Sequence, residues 1–271
     1  MLGIYVLSTG GALATALVAA AMPAQALAAG RPSQSIEVEA QSQDFGEGYG
    51  AINTIRLEYK FKDEDTTVII SPEAGERQSA GDSRTAIGFG AILYQDLTKA
   101  VTSRTSAAIA EDEPIFPQHD LAQDFTFKLV PQTTGTLGIR WARYFGDRDV
   151  YFVNAGLRYY FRRGSIAYRL SYVEPDGHGS FLAHLVNLSV KDPNGRGTTQ
   201  LWVSTGASSL DRAPLDEAFS GDDYGIFVRR VQPISDSIYL TAGAGATSYD
   251  RPDNRVTAWK FALGLVYETG R

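Results

Sequence analysis

The chain has 271 residues and a formal net charge of −6. That is room for one large domain, and the acidic balance argues against nucleic acid as a partner. Cysteine is absent, which excludes disulfides and thiolate metal sites. Hydrophobic residues make up 44% and mean hydropathy is −0.16. A transmembrane β-barrel shares such values with soluble proteins, because only alternate residues of each strand face lipid. With Gly 27, Tyr 14 and Phe 13, the composition favours a turn-rich, aromatic β protein over a helical one.

Residues 1–29 differ from the rest. No charged side chain occurs before Arg31, Leu13 to Ala21 is mostly apolar, and Pro23 is followed by small-residue cleavage patterns at Ala24-Gln25-Ala26 and Ala26-Leu27-Ala28. This reads as a secretory signal peptide, although its first residues hold no Lys or Arg. A retained membrane anchor is the alternative, but the apolar run is short of the roughly 20 residues a spanning helix needs. The expected organisation is therefore a signal peptide at 1–29 and one barrel domain over 30–271.

From there the chain reads as strands, at 35–43, 51–61, 66–75, 84–94, 100–110, 122–130, 135–145, 150–161, 165–173, 181–191, 198–205, 223–231, 237–248 and 255–267. That makes about fourteen, within a range of roughly 12–16, and most are near the 9–11 residues that a tilted membrane strand requires. No segment keeps a helical period of 3.6 over several turns. Short breaks, such as Lys62–Asp65, Pro131–Thr134 and Arg162–Gly164, alternate with longer segments at 76–83, 111–121, 174–180, 206–222 and 249–254. Short turns on one rim and long loops on the other is the pattern of an outer-membrane barrel, with both ends on the short-turn, periplasmic side. The expected fold is all-β, a single antiparallel transmembrane β-barrel. A soluble β-sandwich is the alternative.

The hairpin at 181–206 gives the clearest signal. Leu182, His184, Val186, Leu188 and Val190 alternate towards one face, and Thr199, Leu201 and Val203 resume the alternation after Asp192-Pro-Asn-Gly-Arg-Gly197. Asp-Pro and Asn-Gly are turn formers, since Pro presets φ and Gly takes positive φ without strain. The segment Lys191-Asp-Pro-Asn-Gly-Arg-Gly-Thr-Thr-Gln-Leu-Trp-Val-Ser-Thr-Gly206 resembles the corresponding hairpin of the YaiO family of bacterial outer-membrane barrels. The residues that carry the resemblance most specifically are Asp192, Pro193, Gly195, Gly197, Gln200, Leu201 and Trp202. Weaker matches extend it through Ile115–Phe125, Leu129-Val-Pro131 and Arg230-Val-Gln-Pro-Ile234 to most of residues 35–267. The resemblance implies a barrel in the outer membrane of a Gram-negative bacterium and leaves the biochemical activity undefined.

Alternation also separates the two faces of the wall. Tyr151, Val153, Ala155, Leu157, Tyr159 and Phe161 form an apolar row with aromatics at both ends, which suits the two lipid–water interfaces. Ile166, Tyr168, Leu170 and Tyr172 repeat it, as do Thr85, Ile87, Phe89, Ala91 and Leu93. Trp259, Phe261, Leu263, Leu265 and Tyr267 form the last outward row. They resemble the aromatic-ended signal read by barrel-assembly machinery, although Glu268-Thr-Gly-Arg271 follows.

The opposite residues are polar. Glu37 and Glu39 lie on the first strand, Arg56, Glu58 and Lys60 on the second, and Arg84 and Arg104 on the fourth and fifth. Asp124 and Lys128, then Arg140, Arg158, Arg169 and finally Lys260 continue the set. A cation on the lipid face costs about 2–4 kcal/mol near the midplane, so these positions are read as lumen-lining. Closure of the first strand on the last predicts ion pairs among Glu37, Glu39, Arg56 and Lys260. The functional expectation is a lumen suited to passage of, or contact with, anionic solutes or surface polysaccharide. The alternative is an interior of ion pairs that braces the wall of a structural or assembly barrel with a closed lumen. No inserted plug is evident, although 206–222 offers the length to fold inward.

No catalytic, cofactor or metal site is read. The chain has three histidines. His178-Gly-Ser180 with Glu174 and Asp176 is the only arrangement near that of an outer-membrane lipid-modifying enzyme, and adjacent loop residues seldom reach nucleophile–base geometry. His184 falls on the lipid-facing row. The acidic loops (Glu111, Asp112 and Glu113; Asp211, Asp216, Glu217, Asp222 and Asp223; Asp250 and Asp253) match no calcium-loop spacing and read as a solvated rim. The expected partners are outer-membrane lipids and lipopolysaccharide, with barrel-assembly machinery during biogenesis. The expected state is a monomer.

Overall fold

In the computed structural model of the chain, the described residues are 33–46, 49–79, 81–177, 179–206, 223–250 and 255–269. The predicted signal peptide lies outside them. They form fourteen strands: β1 Ser33–Asp44, β2 Ala51–Lys62, β3 Thr66–Ser79, β4 Asp82–Thr98, β5 Val101–Ala110, β6 His119–Val130, β7 Thr133–Tyr144, β8 Arg148–Phe161, β9 Gly164–Pro175, β10 Phe181–Lys191, β11 Thr198–Thr205, β12 Tyr224–Pro233, β13 Ile238–Asp250 and β14 Arg255–Thr269. Each strand pairs with its chain neighbours, and β1 closes on β14 with Glu37 opposite Val266 and Val38 opposite Leu265. Every pairing is antiparallel. Closure removes free edges, the condition under which strands can cross a bilayer with every backbone polar group satisfied.

The alternation drives this architecture. In β8, exposed Tyr151, Val153 and Leu157 alternate with buried Val150, Phe152 and Asn154. The same rows run around the wall through Ile36 and Val38, Ile87 and Phe89, Leu137 and Ile139, and Phe261, Leu263 and Leu265. Soluble monomers seldom expose contiguous apolar patches beyond about 300–600 Å². A continuous girdle of this kind needs lipid, which a soluble sandwich would not.

Several strand boundaries differ from the sequence expectation, two of them at the long-loop rim. The segment read as a long loop at 76–83 is strand on both sides. β3 and β4 stay paired to Ser79 opposite Asp82, and Gly81 takes a φ of 91° in the link. Likewise β13 continues to Asp250. Charged and polar residues broke the apolar alternation in both places, but a barrel wall that projects beyond the bilayer does not require it.

The interior is layered. Towards the rim carrying the β5–β6 connection, many inward positions are apolar. Ile115 and Phe116 from that connection fold in and are buried with Phe45, Ile52, Ala86, Tyr249, Val256 and Ala258. Across the barrel, Ala142, Tyr144, Val150, Phe152, Val173 and Ala183 form a second apolar cluster. The described segment that enters the mouth is therefore 111–118. The segment 207–222, considered above for this role, lies outside the described residues. Below the apolar layer the inward face becomes polar and charged.

Candidate functional site in the barrel lumen

The first group of charges straddles the β1–β14 closure. A cavity of about 290 Å³ is lined there by Glu39, Arg56, Arg229 and Lys260 together with Trp202 and Phe227. Arg56 Nη2 donates to Glu39 Oε1 at 3.3 Å, and Arg229 Nη2 donates to Glu39 Oε2 at 3.0 Å. The same Arg229 nitrogen also donates to Glu37. The predicted seam pairing of Glu39 with Arg56 is present, and Arg229 of β12 also reaches across to Glu37 and Glu39. Lys260 Nζ lies 5.4 Å from the centroid of the Phe227 ring. Arg229 was legible in principle: Ile226 and Val228 face outward, so parity sends Phe227 and Arg229 inward.

The second group lies on β5–β9. A cavity of about 190 Å³ is lined by Arg104, Asp120, Arg140, Phe152, Asn154 and Arg169, among others. Arg140 forks onto Asp120, with Nε to Oδ1 at 3.0 Å and Nη2 to Oδ2 at 2.7 Å. Its guanidinium carbon lies 4.7 Å from the centroid of Phe152. Arg104 Nη1 donates to Asp124 Oδ2 at 2.9 Å. Asp124 is 4% exposed, and a Cβ on Gly138 would fall 1.9 Å from its Oδ1. The glycine is what lets this carboxylate lie against the wall. Ser171 Oγ donates to Asn154 Oδ1 at 2.6 Å.

The other predicted residues lie elsewhere. Arg158 donates to Ser165 Oγ at 3.1 Å. Glu58 and Lys60 continue the β2 row opposite Glu37 and Ser35, and Lys128 is exposed near the short-turn rim. Arg84 stands exposed at the opposite rim, bonded to Asp82 at 3.2 Å and to Glu113 at 3.3 Å. It holds the β5–β6 connection. So do Arg77, which donates to the Pro114 carbonyl at 3.2 Å, and Glu111, whose carboxylate accepts from the Ile87 amide at 2.8 Å. These carboxylates of the acidic rim thus tie down the inward-folded segment. Asp211, Asp216, Glu217, Asp222 and Asp253 lie outside the described residues, as does His178. His184 Nδ1 is 2.8 Å from Tyr168 Oη, and His119 stacks on Trp141 with centroids 6.1 Å apart.

The hairpin motif divides between the two faces. Asp192, Pro193, Gly195 and Gly197 form the β10–β11 turn, with the Asp192 amide donating to the Gly197 carbonyl at 2.9 Å. Gln200 and Trp202 share the inward parity of β11, whereas Leu201 pairs with outward Val228.

Solved structures with a similar course include the following three. An anion-selective porin from Comamonas acidovorans superposes with a TM-score of 0.48 at 10% identity, covering 88% of this chain and 98% of that one. OccK3 (OpdO) of Pseudomonas aeruginosa superposes with a TM-score of 0.45 at 9% identity, covering 88% and 95%. The KdgM porin, solved in complex with disordered oligogalacturonate, gives 0.45 at 10% identity, covering 88% and 99%. The sequence profile described as the YaiO membrane beta barrel domain matches residues 33–210. That is most of the chain and includes the hairpin of β10 and β11, and with the closed antiparallel wall it settles the relationship: the chain belongs to the YaiO membrane β-barrel family.

Proposed function

We propose that the protein is a non-enzymatic barrel of the outer membrane of a Gram-negative bacterium, and that its lumen takes small anionic solutes or anionic stretches of surface polysaccharide. One observation carries this reading. In both groups the cations outnumber the carboxylates that line the cavity or pair with them: Arg56, Arg229 and Lys260 against Glu37 and Glu39, and Arg104, Arg140 and Arg169 against Asp120 and Asp124. Inside a low-dielectric wall such an excess lowers the barrier for anions and raises it for cations. The short-turn rim is assigned to the periplasm, and lipid and lipopolysaccharide surround the girdle.

A purely structural barrel is the second reading, favoured by the apolar layer around Ile115 and Phe116. Proteoliposome swelling separates the two. Faster swelling in gluconate than in a neutral sugar alcohol of equal size supports anion passage. No swelling with any solute supports the closed barrel. Lipid turnover by the purified protein would overturn the non-enzymatic part of the proposal.

A further inference from the structure

Phe227 sits in the middle of β12 and points into the lumen, where a wet interior gives an aromatic ring nothing to gain. Its seat is built. A Cβ on Gly243 would come within 2.5 Å of Phe227 Cζ, and one on Gly245 within 2.7 Å of its Cδ2. The ring therefore lies against two glycines of β13, and any side chain there would lift it. Trp202 stands beside it at 5.7 Å between centroids, tilted by 46° rather than stacked, and both rings line the larger cavity.

The rest of that lining is of a different kind. Gln41, Ser204 and Thr247 offer neutral hydrogen-bonding groups. Arg229 Nε is buried without a hydrogen-bond partner among the described residues, although its Nη2 holds Glu37 and Glu39.

We infer that this cavity is a binding site for an acidic sugar, with the ring's C–H face on Trp202 or Phe227, its hydroxyls on Glu39, Ser204 and Thr247, and its carboxylate on Arg229 and Lys260. The inference deepens the proposed function and rests on it for the ligand's route to the site. An inorganic anion would leave the rings unused, a neutral sugar the cations, and an aromatic acid the hydroxyl partners. At about 290 Å³ the space lies at the lower end of ligand pockets, roughly 300–1,000 Å³, which suits one sugar ring.

The chain has three tryptophans, and Trp141 and Trp259 face outward with Leu121 and Phe261. In the double variant Trp141→Phe, Trp259→Phe, emission therefore reports on Trp202 alone. The refolded full chain is titrated at constant ionic strength with glucuronate, glucose, acetate and benzoate. The expected result is a saturable change with glucuronate and affinities at least about tenfold weaker for the other three, a gap of about 1.4 kcal/mol. Phe227→Leu and Lys260→Gln should each weaken glucuronate by a similar factor. Should Phe227→Leu fail to fold, Lys260→Gln carries the test. Equal response to glucose, acetate or benzoate overturns the acidic-sugar assignment, as does no response. Gluconate-driven swelling without a Trp202 response sinks the site and leaves passage standing. A Trp202 response without swelling does the reverse.

Discussion

Arg230 holds Asp192 through two parallel hydrogen bonds, Nη1 to Oδ1 at 2.8 Å and Nη2 to Oδ2 at 2.5 Å. The fork joins the β10–β11 turn to β12, and Arg230 also reaches Thr199 and Gln232. Next to it, Arg196 pairs with Asp236 at 3.2 Å, tying the same turn to the β12–β13 connection. The residues that carry the family resemblance thus do mechanical work at the short-turn rim, while Trp202 of the same motif faces the lumen.

This clamp has a pH dependence. The hydrogen bonds from Arg230 hold the Asp192 carboxyl below its usual range. A depressed folded-state value means that the stabilisation is present above the unfolded value of about 3.9 and is lost as pH falls through the folded one. Thermal melts of the refolded barrel should therefore fall with acid below about pH 4, and Asp192→Asn should flatten that slope. An unchanged acid slope in the variant would show that the clamp does not contribute.

Gly197 should not tolerate a methyl group. A Cβ there would lie 2.2 Å from Asp192 Oδ2 and 2.7 Å from Arg230 Nη2, so Gly197→Ala has to open the fork. The melting temperature should drop by about 2–4 °C, in the range of a 1 kcal/mol loss for a barrel of this size. Gly195→Ala also destabilises, but through its φ of 74°, so the two changes should combine additively in a double mutant only if the clamp and the turn act independently.

The Arg140–Asp120 pair is about 15% exposed on each side. Arg140→Gln alone leaves the Asp120 charge half-desolvated and should cost about 3 kcal/mol. The double variant Arg140→Gln, Asp120→Asn should recover most of that, because no uncompensated charge remains. Urea unfolding in lipid vesicles measures both, and a double variant no better than the single one would contradict the pairing.

The inward-folded segment should limit current. Ile115→Ser with Phe116→Ser removes its apolar anchors from the cluster with Phe45 and Tyr249. Open-state conductance should then rise by about twofold or more as the constriction wets. Unchanged conductance would place the narrowest point elsewhere.

Much of this was legible from the chain itself. A period of two is a strong signal when one face meets lipid, and it located all fourteen strands and put Arg56, Arg104, Arg140 and Lys260 opposite the apolar rows. Three things were not. Strand ends at Ser79 and Asp82 lie where neither face meets lipid, so polarity there resembles a loop. Ile115 and Phe116 follow three acidic residues in a segment without period, and only the structure shows that they turn inward, where a Cβ on Gly75 would come within 2.7 Å of Ile115. The alternation of Ile226 and Val228 could place Arg229 inward, but nothing in the sequence paired it with Glu37 and Glu39 across the closure.

Planar-bilayer recording of residues 30–271 in a salt gradient is the sharpest test of anion passage. Stable unit steps with a reversal potential on the anion side are expected, with a weaker preference when Arg56 and Lys260 become Ser. A folded barrel that gives no steps, or steps that favour cations, would contradict it.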